Sequence, residues 1–193
     1  FKKTCSRAGG KPLSKFLIPS FAGFLFVLLH VSDSAAKEES IDHFVGRWVG
    51  TGVTENKGST SETETADRHI QFQLRKTTRG FTIIWSTIKR SVKKKARKKK
   101  QSTTSENFSR TTLPGLFKMV SRAYPMSGGR FRWASINGKT LVVHSIAVSS
   151  DGVLEHLIYA RTLVSRDEIS LKFSRALDDQ VVRRVTGTIR RKF

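Results

Sequence analysis

The sequence predicts an all-β protein: an antiparallel up-and-down meander of about eight or nine strands closed into a barrel. Three observations carry that expectation. Apolar and polar side chains alternate along short runs, the period of a half-buried strand. Turn-forming dipeptides separate the runs. Helical periodicity is nearly absent, with one short helical or irregular insertion expected near 113–125.

The alternation starts early. "HIQFQLRK" puts Ile70, Phe72 and Leu74 on one face and His69, Gln71, Gln73 and Arg75 on the other. "GFTIIWSTIKR" (80–90) follows the turn "TTRG" as the next strand. In residues 131–163, Asn137-Gly138 and Asp151-Gly152 stand between β-rich runs, and both dipeptides favour the positive φ angles of tight hairpins. "EISLKFSRAL" and "QVVRRVTGTIRR" complete the series. Leu113-Pro114-Gly115 interrupts it; "LFKMVSR" suits one or two helical turns, and "PMSGG" reads as a loop. The polar stretch 54–67 reads as a flexible loop at the barrel mouth, and 91–103 as a basic loop. Every connection can be a hairpin. A meander of this many strands leaves two exposed edges unless it closes on itself.

Composition sets the class of partner. The chain has 193 residues and a formal net charge of +21, which attracts phosphates, anionic lipid surfaces and acidic polymers and says nothing about fold. Cys5 is the only cysteine, so no disulfide framework, CxxC pair or zinc ribbon can be built within the chain.

The first 36 residues differ from the rest. Lys2, Lys3, Arg7, Lys11 and Lys15 precede the apolar run 16–31, and "SDSAA" offers Ser34 and Ala36 at the −3 and −1 positions of a cut before Lys37. This is the three-part plan of a secretory signal peptide. The run falls short of the ~20 residues of a spanning helix; the alternative is an uncleaved anchor. The expected organisation is therefore a removed signal peptide, 1–36, and one barrel domain, 37–193. The expected location is the periplasm or the exterior.

At "FVGRWVGTG" (44–52) the chain resembles the lipocalin-like, or calycin, barrels, and small exported bacterial proteins of unassigned function that share their shape. The motif is the Gly-x-Trp of the first strand, followed by hairpins over residues 41–193. In such barrels the tryptophan closes one end and a last-strand arginine packs across it. The resemblance implies Trp48 for the first role and Arg190 or Arg191 of "GTIRR" for the second, with Arg190 assigned to it. It implies a binding cavity without naming its contents. The segment around "LPGLFKM" departs from the pattern, and so does the lack of disulfides.

Hairpin register suggests what lines that cavity. A two-residue turn at Asn137-Gly138 pairs Trp133 with Val142 and Phe131 with His144; one at Asp151-Gly152 pairs His144 with Tyr159 and Val142 with Arg161. Opposed residues share a face, so Phe131, Trp133, His144, Tyr159 and Arg161 form a candidate ligand surface, with Arg161 for an acidic head group. The turn in "VSRDE" reads with two or three loop residues, and that choice decides which face Leu171 and Phe173 join. The bland counterpart is that Trp133 and Tyr159 are ordinary sheet residues.

Enzyme signatures are absent. His43, His69, His144 and His156 show no metal-ligand spacing, and no GxSxG elbow or Gly-rich phosphate loop occurs. Asp178-Asp179 reads as a solvated turn. No cofactor is expected.

"KKKARKKK" (93–100) contributes Lys93, Lys94, Lys95, Arg97, Lys98, Lys99 and Lys100 at a hairpin tip. It is either a solvated loop, a contact for anionic lipid, envelope polymer or nucleic acid, or a nuclear localisation signal. No RNA-reading motif accompanies it, so sequence-specific nucleic-acid binding is not expected. The sequence thus points to an exported, monomeric, non-enzymatic protein that binds a small hydrophobic or amphipathic ligand. The alternative is an exported protein acting through a macromolecular partner (envelope polymer, nucleic acid or a host factor), without a ligand cavity.

Overall fold

The computed structural model describes residues 40–57, 63–89 and 100–193. The leader (1–36), the centre of the polar loop and Lys93–Lys99 of the basic run lie outside them.

Ten antiparallel strands form a closed barrel: β1 (Gly46–Lys57), β2 (Thr63–Thr77), β3 (Gly80–Lys89), β4 (Lys100–Arg110), β5 (Leu116–Met119), β6 (Phe131–Asn137), β7 (Thr140–Val148), β8 (Leu154–Ser165), β9 (Glu168–Leu177) and β10 (Gln180–Lys192). Each strand pairs with its sequence neighbours, and β1 closes the ring against β10. The expected all-β meander is present, with ten strands against the expected eight or nine.

The difference lies in the insertion. "LFKM" is the short strand β5, which bridges β4 and β6 through Phe108↔Met119 and Phe117↔Ala134. Its four residues bury Phe117 and Met119 in alternation, a period-two signal too short to separate from a helical turn by sequence. The only helical piece nearby is the 3-10 turn Pro125–Ser127. The polar stretch expected as a loop over 54–67 is mostly strand: β1 runs to Lys57 and β2 starts at Thr63. Likewise β4 starts at Lys100, inside the expected basic loop.

Inward residues pack one end of the barrel solid. Phe44, Trp48, Phe72, Leu74, Phe81, Ile83, Phe108, Leu141, Ile169 and Ile189 are fully buried there, and Phe81 stacks on Phe108 with ring centroids 5.2 Å apart. The 3-10 turn Ile41–Phe44, capped by Ser40, adds Ile41 and Phe44 to this floor. At the β1–β10 junction the backbones approach so closely that side chains do not fit. A Cβ on Gly50 would lie 2.0 Å from the Thr188 carbonyl oxygen, and one on Gly187 would lie 2.3 Å from that of Thr51.

Two turns depart from the expected register. The β6–β7 loop is Gly138-Lys139, flanked by the pair Asn137↔Thr140. Gly138 has φ +51°, the positive angle of the first central position in a II′ turn. Trp133 therefore opposes His144, and Phe131 opposes Ile146. This slip of two residues preserves the faces. The β7–β8 loop is longer. Val148 pairs with Leu154, and the intervening residues 149–153 are held by the Ser149 backbone N–H donating to the Val153 carbonyl (3.0 Å) and the Gly152 N–H donating to the Ser149 carbonyl (3.0 Å). Five loop residues instead of two shift the register by an odd number and invert the faces. Tyr159 opposes Val143 and Arg161 opposes Leu141, rather than His144 and Val142. At the β8–β9 turn the register aligns Tyr159 with Phe173 and Arg161 with Leu171. Asp178-Asp179 is the β9–β10 turn, with φ of 43° and 65°, and the Asp178 carboxylate also accepts a hydrogen bond from the Leu154 N–H (2.9 Å).

Candidate functional site

Beyond the packed floor the barrel interior is open. A cavity of about 510 Å³ is lined by β2, β3, β4, β8, β9 and β10. Trp85, Tyr159 and Phe173 give it aromatic walls, and four arginines (Arg68, Arg161, Arg175 and Arg183) line it beside Glu155 and Lys172. Trp85 packs against Tyr159 (centroids 5.6 Å apart), and Tyr159 against Phe173 (4.8 Å). These rings stand where period-two alternation turns every second residue inward.

Arg161 is the most unusual group in the cavity. It is 5% exposed, and its Nε and Nη1 have no hydrogen-bond partner. Its Cζ lies 4.4 Å from the Phe72 ring centroid and 5.8 Å from that of Tyr159. Burial pulls its pKa down to about 10, with the neighbouring Tyr159 acting in the opposite direction, so the side chain stays cationic at neutral pH. The ring faces give the cation partial compensation, yet guanidinium N–H groups left unbonded in a protein interior are costly. Burial also raises the pKa of Tyr159.

Three more arginines line the cavity. Arg68 on β2 donates from Nε to Thr54 Oγ1. Arg183 on β10 donates from Nε to Asn56 Oδ1 (2.6 Å). Arg175 on β9 donates to Glu155 (2.6 Å), which also pairs with Arg130. Burial and then the nearby Arg183 charge lower the Arg68 pKa. Burial alone would raise that of Glu155, but the hydrogen bonds from Arg175 and Arg130 hold it below the usual value. Arg132 pairs with Glu106 on the β6–β4 side of the interior.

The five ligand residues expected from the sequence do not converge. Tyr159 and Arg161 are inside. Phe131, Trp133 and His144 lie on the outer face of β6 and β7, opposite the inward Ala134, Val143 and Ser145. There Trp133 stacks on His144 (centroids 4.7 Å, planes 4° apart), Phe131 packs beside Trp133, and His144 Nδ1 lies 3.2 Å from His156 Nε2. Burial and the His156 charge depress the His144 pKa. Trp48 is buried at the floor and donates from Nε1 to the Phe44 carbonyl (3.0 Å). Arg191, not Arg190, crosses it at 4.2 Å. Alternation along β10 turns Val185, Ile189 and Arg191 inward, whereas Arg190 points out and pairs with Glu168 (3.0 Å). Of the basic run, only Lys100 falls among the described residues, where it pairs with Lys89 in register.

Arg68, Trp85, Arg175 and Arg183 line the cavity without having been expected there, and Phe173, whose face the sequence leaves open, joins them. A signal for them was present: "RHIQFQL" places Arg68 on the same face as Ile70, Phe72 and Leu74. A broader hollow of about 850 Å³ lies on the outside of the packed end, around Lys139, Arg166, Lys192 and Phe193. Among the described residues no three His, Cys, Asp or Glu side chains form a metal-binding group.

No family model matches the sequence, and no curated protein matches it. Solved structures with a similar outline include a protein of unknown function from the DUF3598 family of Nostoc punctiforme (13% identity, TM-score 0.49). The alignment covers 79% of this chain and 49% of that one, so the chain spans about half that protein's length. An S-type phycobiliprotein lyase from Guillardia theta also aligns, at 9% identity and TM-score 0.36, over 79% of this chain and 90% of its own.

Proposed function

We propose that the protein is a non-enzymatic binding protein that holds a small amphipathic ligand in the barrel cavity, with an acidic head group on Arg161. One observation carries this reading. A buried guanidinium with two unbonded nitrogens faces an aromatic-walled cavity of about 510 Å³. A carboxylate or phosphate there would accept charge-assisted hydrogen bonds from this guanidinium and answer its charge. An apolar body would cover Trp85, Tyr159 and Phe173.

In this proposal the leader exports the chain, and the basic run 93–100 holds it near anionic lipid or envelope polymer, where each cation contributes ~1 kcal/mol at most. The test of ligand binding is a calorimetric titration of the purified protein with dodecanoic acid and with dodecanol. The acid should bind and the alcohol should bind at least tenfold more weakly. Equal affinities would remove Arg161 from the reading, and no binding of either would remove the cavity. A mass spectrum of protein taken from the producing cell's envelope tests export: the chain should begin at Lys37.

A further inference from the structure

The open end of the cavity carries a cationic cluster that a single acidic head group on Arg161 leaves unanswered. Arg175 and Arg183 are direct cross-strand partners on β9 and β10, and like charges so opposed destabilise a sheet. Arg68, on β2, reaches the same region. Thr54 and Asn56, the partners of Arg68 and Arg183, are inward-facing residues two apart on the intervening strand β1. Those partners are neutral. They aim the guanidinium groups without cancelling their charge. Among the described side chains, Glu155 is the only carboxylate lining the cavity, and Arg175 and Arg130 already occupy it.

Arg161 belongs to a different depth. It lies over Phe72, whose strand neighbour is Trp48 of the floor. Arg68 and Arg183 bond residues farther along β1, toward its Lys57 end. The cavity therefore has a cation at its inner end, a cationic pair nearer its mouth, and the Trp85, Tyr159 and Phe173 rings among its walls. We propose that the ligand is a diacid: an elongated apolar molecule with one anionic group for Arg161 and a second for Arg68 and Arg183. This inference rests on the cavity reading given under Proposed function, and it narrows the ligand class.

The experiment compares the full chain's affinity for a series of α,ω-dicarboxylates, from octanedioic to hexadecanedioic acid, with that for the matching monocarboxylates. At its optimal length the diacid should bind at least tenfold more tightly than the monoacid. A double variant, Arg68→Gln with Arg183→Gln, should abolish that advantage, bringing diacid affinity down to that of the matching monoacid. Arg161→Met should weaken both series. Monoacids and diacids binding equally at every length would overturn the second anion seat and leave the cavity reading intact. Neither series binding would overturn both. An advantage that survives the double variant would place the second acid elsewhere and overturn the assignment. Circular dichroism of each variant separates lost binding from lost fold.

Discussion

Arg191 lies over the face of Trp48, its Cζ 4.2 Å from the ring centroid, and ties the last strand to the start of the first. Its Nη1 donates to the Val45 carbonyl (2.5 Å), its Nη2 to those of His43 (3.0 Å) and Arg166 (3.2 Å), and its Nε faces the Asp167 carboxylate (3.2 Å). One side chain thereby satisfies carbonyl groups of the floor segment and of the β8–β9 turn.

Arg191→Ala should cost about 2–4 kcal/mol, since several charge-assisted bonds and a cation–π contact are lost together. Arg190→Ala should change stability by less than ~0.5 kcal/mol, because its pair with Glu168 is at the surface. Urea unfolding of the two variants measures the difference. Equal costs would mean that Arg191 does not hold the floor.

Arg161→Met should stabilise the unliganded protein by about 1–3 kcal/mol while removing affinity for acids. An unpaired buried charge gives way to an apolar side chain of similar reach. The effect depends on pH with a definite sign. The folded-state pKa, about 10, is below the ordinary arginine value, so above pH 10 the unfolded chain keeps the proton that the folded chain gives up. Folding of the wild type is then favoured as pH rises. The stability difference between variant and wild type should be largest at neutral pH and shrink above pH 10. A difference that stays flat across that range would mean that Arg161 is not desolvated.

His144 gives the same sign at a lower pH. Its folded pKa is depressed by burial and then by His156, so the unfolded chain takes up the proton first as the solution is acidified. Stability should fall as pH drops below the ordinary histidine value of 6.5 toward the lowered one. Within that window His144→Gln should flatten the dependence. Trp133 fluorescence, read through its stack on His144, should change in the folded wild type only below that window, as pH falls through the lowered value.

Gly187→Ala should destabilise the barrel by about 1–3 kcal/mol or more, because the new Cβ meets the Thr51 carbonyl oxygen and the Gly52 Cα within 2.6 Å. Gly138→Ala has open space around its Cβ and should cost only the strain of a positive φ, about 1 kcal/mol. Thermal denaturation of the pair distinguishes a steric from a conformational requirement.

The strands were legible because alternation is local. Ile70, Phe72 and Leu74 all face inward or toward the core as their spacing predicted. Trp48 was legible for another reason, since a Gly-x-Trp at the head of a meander resembles a known barrel closure. Residue faces across a hairpin are a different kind of information. They depend on the parity of the loop, and residues 149–153 contain both Ser149, whose hydroxyl bonds the Val153 N–H and carbonyl (3.1 Å each), and Gly152 at φ +82°. No propensity rule distinguishes that five-residue loop from a two-residue turn at Asp151-Gly152. One odd shift was enough to move Tyr159 and Arg161 away from His144. The arginines were missed because charged residues are expected at the surface, although their spacing placed them inside.

Closure by β1 and β10 also governs how the barrel assembles. Nine of its ten strand pairings join consecutive strands, and only β1–β10 joins segments distant in sequence. The nine can form as short loops with little chain entropy lost, whereas the tenth requires most of the chain to be in place. Ring closure is then the late step of folding, and the contact of Arg191 with Trp48 belongs to the native side of the barrier. Weakening that contact should accelerate unfolding while leaving the refolding rate nearly unchanged.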